Sequence, residues 1–471
     1  MTPNASILQR LRAVVGDEGY LDRSGDVEPY LIDQRKLYRG ATPLVLRPNS
    51  TQQVAEILAI CNAERIAVVP SGGNTGYCGG ATPSENGSQI VLSLGRMRKI
   101  RSIDALNYTM TVEAGCVLAD LQAAAEQADR FLPLTLGSEG SCQIGGNLST
   151  NAGGTSVVRY GMARSLTLGL EVVLPDGRIW DGLKTLRKDN TGYDLRDLFI
   201  GAEGTLGVIT AATLKLFPRP RTVVTAMIAL SNVEAAIELL AQLRAASGDA
   251  ITTFELMPRI VIDFQLKYLS GVADPFERSY PFYALVEVQS ARDDAALATA
   301  IEESLGAAIE AGRIDDAVLA QNEAQRQAFW SLRERVPEGE RKAGASIKHD
   351  VSVAITDIPA LLQEGSAAMH SIVPAGRVIA FGHLGDGNLH FNLCQPENMD
   401  RVAFEAFTPQ VNHAVHDVVT RYRGSIAAEH GIGQLKRNEL ARYKSAVEMD
   451  LMRAIKRALD PNGIMNPGKV L

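Results

Sequence analysis

The sequence predicts an α+β protein of about two or three domains, and three observations carry that expectation. The chain has 471 residues, too many for one ordinary core. Its first half repeatedly feeds short apolar strands into glycine-rich loops. After Phe217, the run Pro218-Arg219-Pro220-Arg221 cannot continue a central strand, so a domain boundary belongs there. Beyond it, strand and helix patterns alternate as in an antiparallel sheet covered on one face by helices.

Composition narrows the class. The 47 basic and 54 acidic residues leave a formal charge of −7 with no long run of either sign, so neither nucleic acid nor an anionic membrane surface is favoured. No apolar run approaches the roughly 18 residues of a membrane span. Near the N-terminus, Ile7, Leu8, Leu11, Val14 and Val15 recur at helical spacing around Arg10 and Arg12, and Gly16 stops the pattern. That is an amphipathic helix, not a signal peptide. The five cysteines are odd in number and lack Cys-x-x-Cys spacing, which argues against a disulfide framework and makes a reducing cytoplasm the default expectation.

In chain order, a strand at 44–46 precedes a helix opened by a capping box, Ser50 with Gln53, ahead of Val54, Ile57, Leu58 and Cys61. Ile66-Ala67-Val68-Val69 reads as a buried strand running into Pro70-Ser71-Gly72-Gly73-Asn74-Thr75-Gly76. Successive backbone N–H groups in such a loop form an anion-binding concavity, and the missing side chains let a diphosphate approach. Neither a helix nor a Lys-Ser/Thr pair follows, so it is not one of the common nucleotide fingerprints. A strand at 110–114 and a helix at 118–128 lead to a second stretch, 136–154, dense in glycine, hydroxyl and amide residues. Such density suits backbone wrapped around a flat, polar ligand. Residues 189–195 and 201–209 repeat the style, and a strand at 212–217 closes the region. Past the boundary come strands at 224–230, 252–256, 283–288, 346–353 and 378–381. Helices are expected after the capping box Ser231-x-x-Glu234 and at 295–311, 357–369 and 402–422.

The most informative stretch is Phe381-Gly382-His383-Leu384-Gly385-Asp386-Gly387-Asn388-Leu389-His390. Asp386-Gly387 is a strong two-residue hairpin signal. Such a turn sets His383 directly opposite His390, with Cβ atoms about 5 Å apart, close enough to share one ion. Asn392 then projects from the same face as His390. A third ligand is sought in Glu429-His430-Gly431-Ile432-Gly433, where a carboxylate and an imidazole stand side by side. Two histidines and a carboxylate leave open positions, as in a catalytic metal site. Zinc fits best, and Fe(II) or Mn(II) suit the same donors.

Together these loops, the hairpin and the Glu429-His430 segment resemble an FAD-dependent D-2-hydroxyacid dehydrogenase of the vanillyl-alcohol oxidase / p-cresol methylhydroxylase superfamily, the D-2-hydroxyglutarate dehydrogenases most of all. The resemblance runs from about Leu44 to the C-terminal Asn466-Pro467-Gly468-Lys469. It implies a two-subdomain, p-cresol-methylhydroxylase-type FAD-binding domain at 1–218 and a ferredoxin-like antiparallel-sheet cap domain at 219–423. Residues 424–471 would return to the FAD domain. Cofactor contacts are implied for Pro70, Ser71, Gly72, Gly73, Asn74, Thr75 and Gly76 at the diphosphate. The same holds for Leu136, Gly137, Ser138, Gly146, Thr150, Asn151, Gly153, Gly154, Gly207, Ile209 and Asn466 elsewhere. Residues 70–83 contain no histidine, so the flavin is expected to be non-covalent.

The same resemblance assigns the metal to His383, His390 and Glu429, the general base to His430, and substrate contact to Asn392, Arg333 and Lys348. Arg333 and Lys348 stand at the family positions that take the distal carboxylate of a dicarboxylic 2-hydroxy acid such as D-2-hydroxyglutarate or D-malate. Pro337 departs from the hydroxyglutarate pattern, which has a threonine there. The alternatives are a D-lactate or glycolate type dehydrogenase and a non-redox group-transfer enzyme on the same scaffold. An electron-transfer flavoprotein or quinone-linked acceptor and a homodimer complete the expectations.

Overall fold

The computed structural model describes residues 3–471. These divide into two compact units: residues 3–154, 161–219 and 429–471 in the first, and residues 155–160 and 220–428 in the second.

The first unit holds two sheets. One is four-stranded, in the order Tyr20–Leu21, Val45–Leu46, Ile90–Ser93, Val68–Ser71, with the last three parallel. The other is a five-stranded antiparallel sheet in the order Ile100–Asp104, Thr109–Glu113, Val208–Lys215, Thr167–Val173, Ile179–Gly182. A parallel strand pair must be joined by a crossover, and the helix Thr51–Ala63 provides one between Val45–Leu46 and Val68–Ser71. Its Val54, Ile57, Leu58 and Cys61 lie in one buried cluster with Ile66, Val68, Ile90 and Leu92. Ser50 caps it by accepting from the Gln53 N–H, but the Gln53 side chain accepts from Asn49 N, so the expected reciprocal box is displaced by one residue. The strand expected at Ile66 starts at Val68, because Ile66 N–H turns back to the Cys61 carbonyl at the helix end. The N-terminal helix Ala5–Val15 ends at Gly16, whose φ of 69° lies in the left-handed region.

In the second unit, one sheet has the strand order Ile251–Pro258, Phe282–Ser290, Thr222–Leu230, Asp316–Leu319, all antiparallel. Numbered along the chain this is 2-3-1-4, and the helices Val233–Ser247 and Ala295–Glu310 pack against each other, giving the expected ferredoxin-like arrangement. The first of these helices is capped by Asn232, whereas Ser231 Oγ donates to Asp315, so the expected Ser231 capping box does not form.

A second sheet is built on Asn388–Cys394, flanked on one side by Arg377–Phe381 and on the other by Ser346–Ile347 and Asp350–Ser352. The single strand expected at 346–353 is broken at Lys348-His349. The helix expected at 402–422 is two helices, Arg401–Glu405 and Thr408–Arg421, the second with proline in its first turn.

Candidate active site

In the first unit the glycine loops meet. A cleft enclosing about 1020 Å³, mouth included, is lined by residues 70–76, by Gln143, Gly146, Asn147 and Thr150, and by Glu203, Gly207, Ile209 and His430. Backbone crowding explains the glycines: a Cβ on Gly73 would lie 2.3 Å from the Ser141 carbonyl oxygen, and one on Gly154 1.9 Å from that of Thr135. Of the residues expected at the cofactor, Leu136, Gly137, Ser138, Asn151, Gly153, Gly154 and Asn466 are not in the lining. Some of these support it. Asn466 donates to the Gly80 and Glu203 carbonyls, and Gly154 N–H donates to Glu429 Oε2 at 3.2 Å.

Ser71 Oγ, Gln143 Oε1 and Asn147 Oδ1 are buried polar atoms without partners, and all three residues line the cleft. Buried polar atoms are normally satisfied, so this wall fits a ligand carrying many hydrogen-bonding groups, as FAD does. Gln143, Asn147 and Glu203 are additions to the sequence-derived set. All three stand inside the polar segments already noted, yet only the fold separates cleft-facing amides from the rest.

The loop at 429–433 is fixed from below. Glu203 is partly buried, and its carboxylate accepts from the backbone N–H of Ile432 at 2.7 Å and of Gly433 at 2.8 Å. Burial raises its pKa, against those two donors and Lys436. Glycine suits position 431, where φ is 76° and a Cβ would stand 2.8 Å from Glu203 Oε1. Cys78 Sγ donates to the Gly431 carbonyl. The Tyr77 ring meets His430 edge-on at 4.9 Å, and the Arg35 guanidinium lies 4.9 Å from the Tyr77 centroid. His430 is thereby held in the wall of the cleft.

In the second unit the histidine hairpin differs from expectation. His390 is opposed by Phe381, not His383, because the connection spans six residues instead of two. Gly382 (φ 133°) leaves the ladder, and Leu384–Asp386 forms a 3₁₀ turn closed by Gly387 (φ 85°). Asp386 spends its side chain on Asn388 N–H, tightening that turn. The two imidazoles still meet edge-on, with centroids 5.5 Å apart. On the far side of the strand, Asp350 directly opposes His390.

Two buried carboxylates organise this sheet's polar residues. Glu255, fully buried, accepts from His383 Nδ1 and from Arg333 Nε, each at 2.5 Å. Burial raises the Glu255 pKa, but the facing Arg333 and His383 more than offset it and hold the carboxyl well below its usual range. With Nδ1 committed to a carboxylate, His383 would coordinate through Nε2, the support that metal-binding histidines usually have. Asp350 and His390 belong to a group of donors whose ligand atoms lie within 4.8 Å of one another, a set that fits a divalent ion, and His383 stands outside that group.

Glu340, 1 % exposed, accepts from Asn392 Nδ2 at 3.0 Å and from Lys348 Nζ at 2.7 Å. Arg333 is itself 8 % exposed and stacks over Phe381 at 5.0 Å, so it is no solvated surface charge. Pro337 lies in the first turn of the helix Val336–Ala343, where its missing N–H leaves no bond unmade. Glu255, Glu340 and Asp350 were absent from the sequence-derived site. A lone glutamate inside the apolar run Ile251-Thr252-Thr253-Phe254-Glu255-Leu256-Met257 was the available signal.

Fold and cleft define a flavin-binding protein. Residues 42–182 match a family described as "FAD binding domain", and residues 219–470 match "FAD linked oxidases, C-terminal domain". The chain belongs to the FAD-linked oxidase family, a class of FAD-dependent oxidoreductases. It is similar to "Probable D-2-hydroxyglutarate dehydrogenase, mitochondrial" of Oryza sativa subsp. indica, with 39 % identity over 99 % of this chain and 82 % of the relative. With "D-2-hydroxyglutarate dehydrogenase" of Stutzerimonas stutzeri it shares 36 % identity over 99 % and 98 %. "Putative D-lactate dehydrogenase C713.03, mitochondrial" of Schizosaccharomyces pombe is 38 % identical over 98 % and 89 %. Among solved structures, p-cresol methylhydroxylase with substrate bound superposes with a TM-score of 0.79, covering 99 % of this chain and 96 % of that one. Its 17 % identity speaks for the fold alone. The resemblance noted in the sequence is borne out.

Among the described residues no helix is long and apolar enough to cross a membrane. The five cysteines are buried and form no disulfide. Several relatives carry mitochondrial names, which does not fit the cytoplasmic expectation.

Proposed function

We propose that this FAD-linked oxidase oxidises a D-2-hydroxy acid to the 2-oxo acid, with a dicarboxylate such as D-2-hydroxyglutarate or D-malate as substrate. The observation that carries it is His430 in the wall of the flavin cleft, fixed there through Glu203 and Tyr77. An imidazole so placed is suited to take the substrate's hydroxyl proton. Bound FAD would supply the acceptor, at N5, for the hydride from C2. His383, His390 and Glu429 would hold a divalent ion, zinc in the first instance, and it would supply Lewis-acid assistance to hydroxyl ionisation.

For the distal carboxylate, support comes from Arg333 and Lys348. Arg333 uses only Nε for Glu255, leaving its terminal amino groups as the edge that forks onto a carboxylate. Asn392, oriented by Glu340, is the remaining substrate contact. We further propose a homodimer and an electron-transfer flavoprotein or quinone-linked acceptor.

The test is anaerobic flavin absorbance during addition of D-2-hydroxyglutarate, D-malate, D-lactate and the L-enantiomers, with and without chelation. Bleaching by a D-dicarboxylate that chelation abolishes is expected. Bleaching by D-lactate alone would overturn the roles of Arg333 and Lys348. No bleaching by any of these acids in metal-replete protein would move group transfer to the front.

A further inference from the structure

Resting on the hydroxyacid oxidation proposed above, we infer that Glu255 is a positioning residue that couples the metal to the distal end of the substrate. Its two oxygens are divided. Oε1 takes His383 Nδ1 and Oε2 takes Arg333 Nε, and all three residues are at most 8 % exposed. The three side chains come from three elements: Glu255 from the strand Ile251–Pro258, Arg333 from the helix Glu323–Glu334 and His383 from the loop after Arg377–Phe381. That strand is tied to the loop by reciprocal backbone bonds between Leu256 and Gly382, at 2.8 and 2.9 Å. The carboxylate is therefore delivered beside His383 by rigid backbone, not by a flexible stem.

Leu285 stands opposite it across the ladder and Met227 opposite Leu285, and both belong with Met257 to one buried apolar cluster, a setting in which a carboxylate is costly unless fully paired. An ion pair needed only for stability could be replaced there by apolar side chains, often at no loss. What distinguishes Glu255 is the assignment of its two partners. His383 belongs to the ion at the reacting end, and Arg333 to the carboxylate at the far end. Accepting Nδ1–H selects the tautomer that turns Nε2 outward, and accepting Nε–H turns the guanidinium fork outward. One carboxylate thus fixes the spacing between the two ends, which makes it a gauge of substrate length.

A coupling of this kind is reciprocal. Disturbing Arg333 must loosen the ion although Arg333 does not ligate it, and disturbing Glu255 must loosen both ends at once.

The experiment uses FAD-replete protein carrying Glu255→Gln, an isostere that cannot accept from both donors, with Glu255→Asp and Arg333→Lys as companions. Zinc affinity is read by competition with a chromophoric chelator, and KM is read for D-2-hydroxyglutarate and for D-lactate at saturating zinc. Glu255→Gln is expected to weaken zinc about 10- to 100-fold and to raise the KM for D-2-hydroxyglutarate about 10-fold, with little change for D-lactate. Glu255→Asp should fall between it and wild type. Arg333→Lys should also weaken zinc.

Should Glu255→Gln lower only the melting temperature, Glu255 is a buried ion pair and the inference fails. Zinc weakened by Glu255→Gln but not by Arg333→Lys would overturn the coupling. If Glu255→Gln does not fold, the Asp and Lys variants decide by the same two readouts. Wild-type protein that binds zinc yet oxidises no hydroxyacid rejects the proposed function, an outcome separate from any effect of Glu255.

Discussion

The two units build their sites by opposite means. In the first, the cleft is made largely of backbone: glycines that tolerate carbonyls at under 3 Å from where a Cβ would be, lining amides whose buried oxygens lack partners, and a loop held through its own N–H groups. In the second, the proposed site is made of polar and charged side chains held by buried carboxylates, Glu255 between His383 and Arg333, and Glu340 between Asn392 and Lys348. Backbone can wrap a large ligand that brings its own polar groups. Reacting atoms a few ångströms across require oriented charges, and those need carboxylates behind them. The first unit should therefore fail by losing its ligand, and the second by losing turnover or selectivity with the flavin still bound.

The largest effect is expected from a histidine proposed as a metal ligand. His390→Ala should cut flavin reduction by D-2-hydroxyglutarate about 10³-fold or more, the scale of lost transition-state charge stabilisation. Its FAD content should stay at the wild-type level. His430→Ala should cost about 10²- to 10⁴-fold, also with FAD retained. Stopped-flow reduction and flavin-to-protein absorbance ratios measure both. Loss of FAD from His390→Ala would erase the contrast between the units.

Two glycines sharpen the same contrast from the other side. Gly73→Ala forces a Cβ against backbone at Ser141 and Cys142, which cannot yield as a flexible side chain would. A cost of about 1–3 kcal/mol in stability and a preparation depleted in FAD are expected. Gly76 has no atom within 4 Å of such a Cβ. Gly76→Ala should leave the melting temperature of FAD-free protein unchanged, so any fall in its FAD affinity would report direct crowding of the cofactor. Thermal melts with and without added FAD distinguish the two. Equal destabilisation by both would mean that the loop is not shaped by its backbone neighbours.

A smaller, selective effect is expected at the substrate's far end. Lys348→Met should raise KM for D-2-hydroxyglutarate about 10-fold, the worth of a charge-assisted hydrogen bond, with D-lactate unaffected. Its side chain is 36 % exposed, so replacing it costs less folding energy than disturbing buried Arg333. Steady-state kinetics on both acids check this. Equal changes for the two acids would reduce Lys348 to a partner of Glu340.

This difference in construction also decides what could be read from the sequence. Backbone sites leave a compositional trace, so residues 70–76 and 136–154 announced a polar ligand before any fold was known. The antiparallel sheet with helices on one face likewise follows from periodicity and a proline-rich break at 218–221, and its ferredoxin-like form from the family resemblance. Side-chain sites leave a trace only for the residues that do chemistry. His383 and His390 stand out because histidine is rare in this chain, although the turn between them is longer than its sequence suggests. Asp386-Gly387 has the composition of a two-residue turn, but Gly382 also leaves the ladder, and the shift made Phe381 the partner of His390. Glu255 and Glu340 lie 128 and 52 residues from the histidine and asparagine they support. No local pattern connects them, since glutamate is an ordinary surface residue until burial makes it otherwise.

One buried cation breaks the second unit's rule and offers the smallest test. Lys469 in the first unit is 4 % exposed, and burial, with nearby Arg437, pushes its amine down to about 8. A lysine whose folded pKa is depressed opposes folding wherever the unfolded chain is charged. Between about 8 and the unfolded value near 10.5, the unfolded state binds more protons, so stability rises with pH through that window. At pH 7 the penalty is fully present. Lys469→Met should then stabilise FAD-free protein at pH 7, with roughly 3 kcal/mol as the upper bound. The advantage should shrink as pH rises from 8 to 10.5. Urea melts of both proteins across this range give the answer. A variant less stable than wild type at pH 7 would mean that Lys469 has an anionic partner, and that the first unit, too, relies on paired charge.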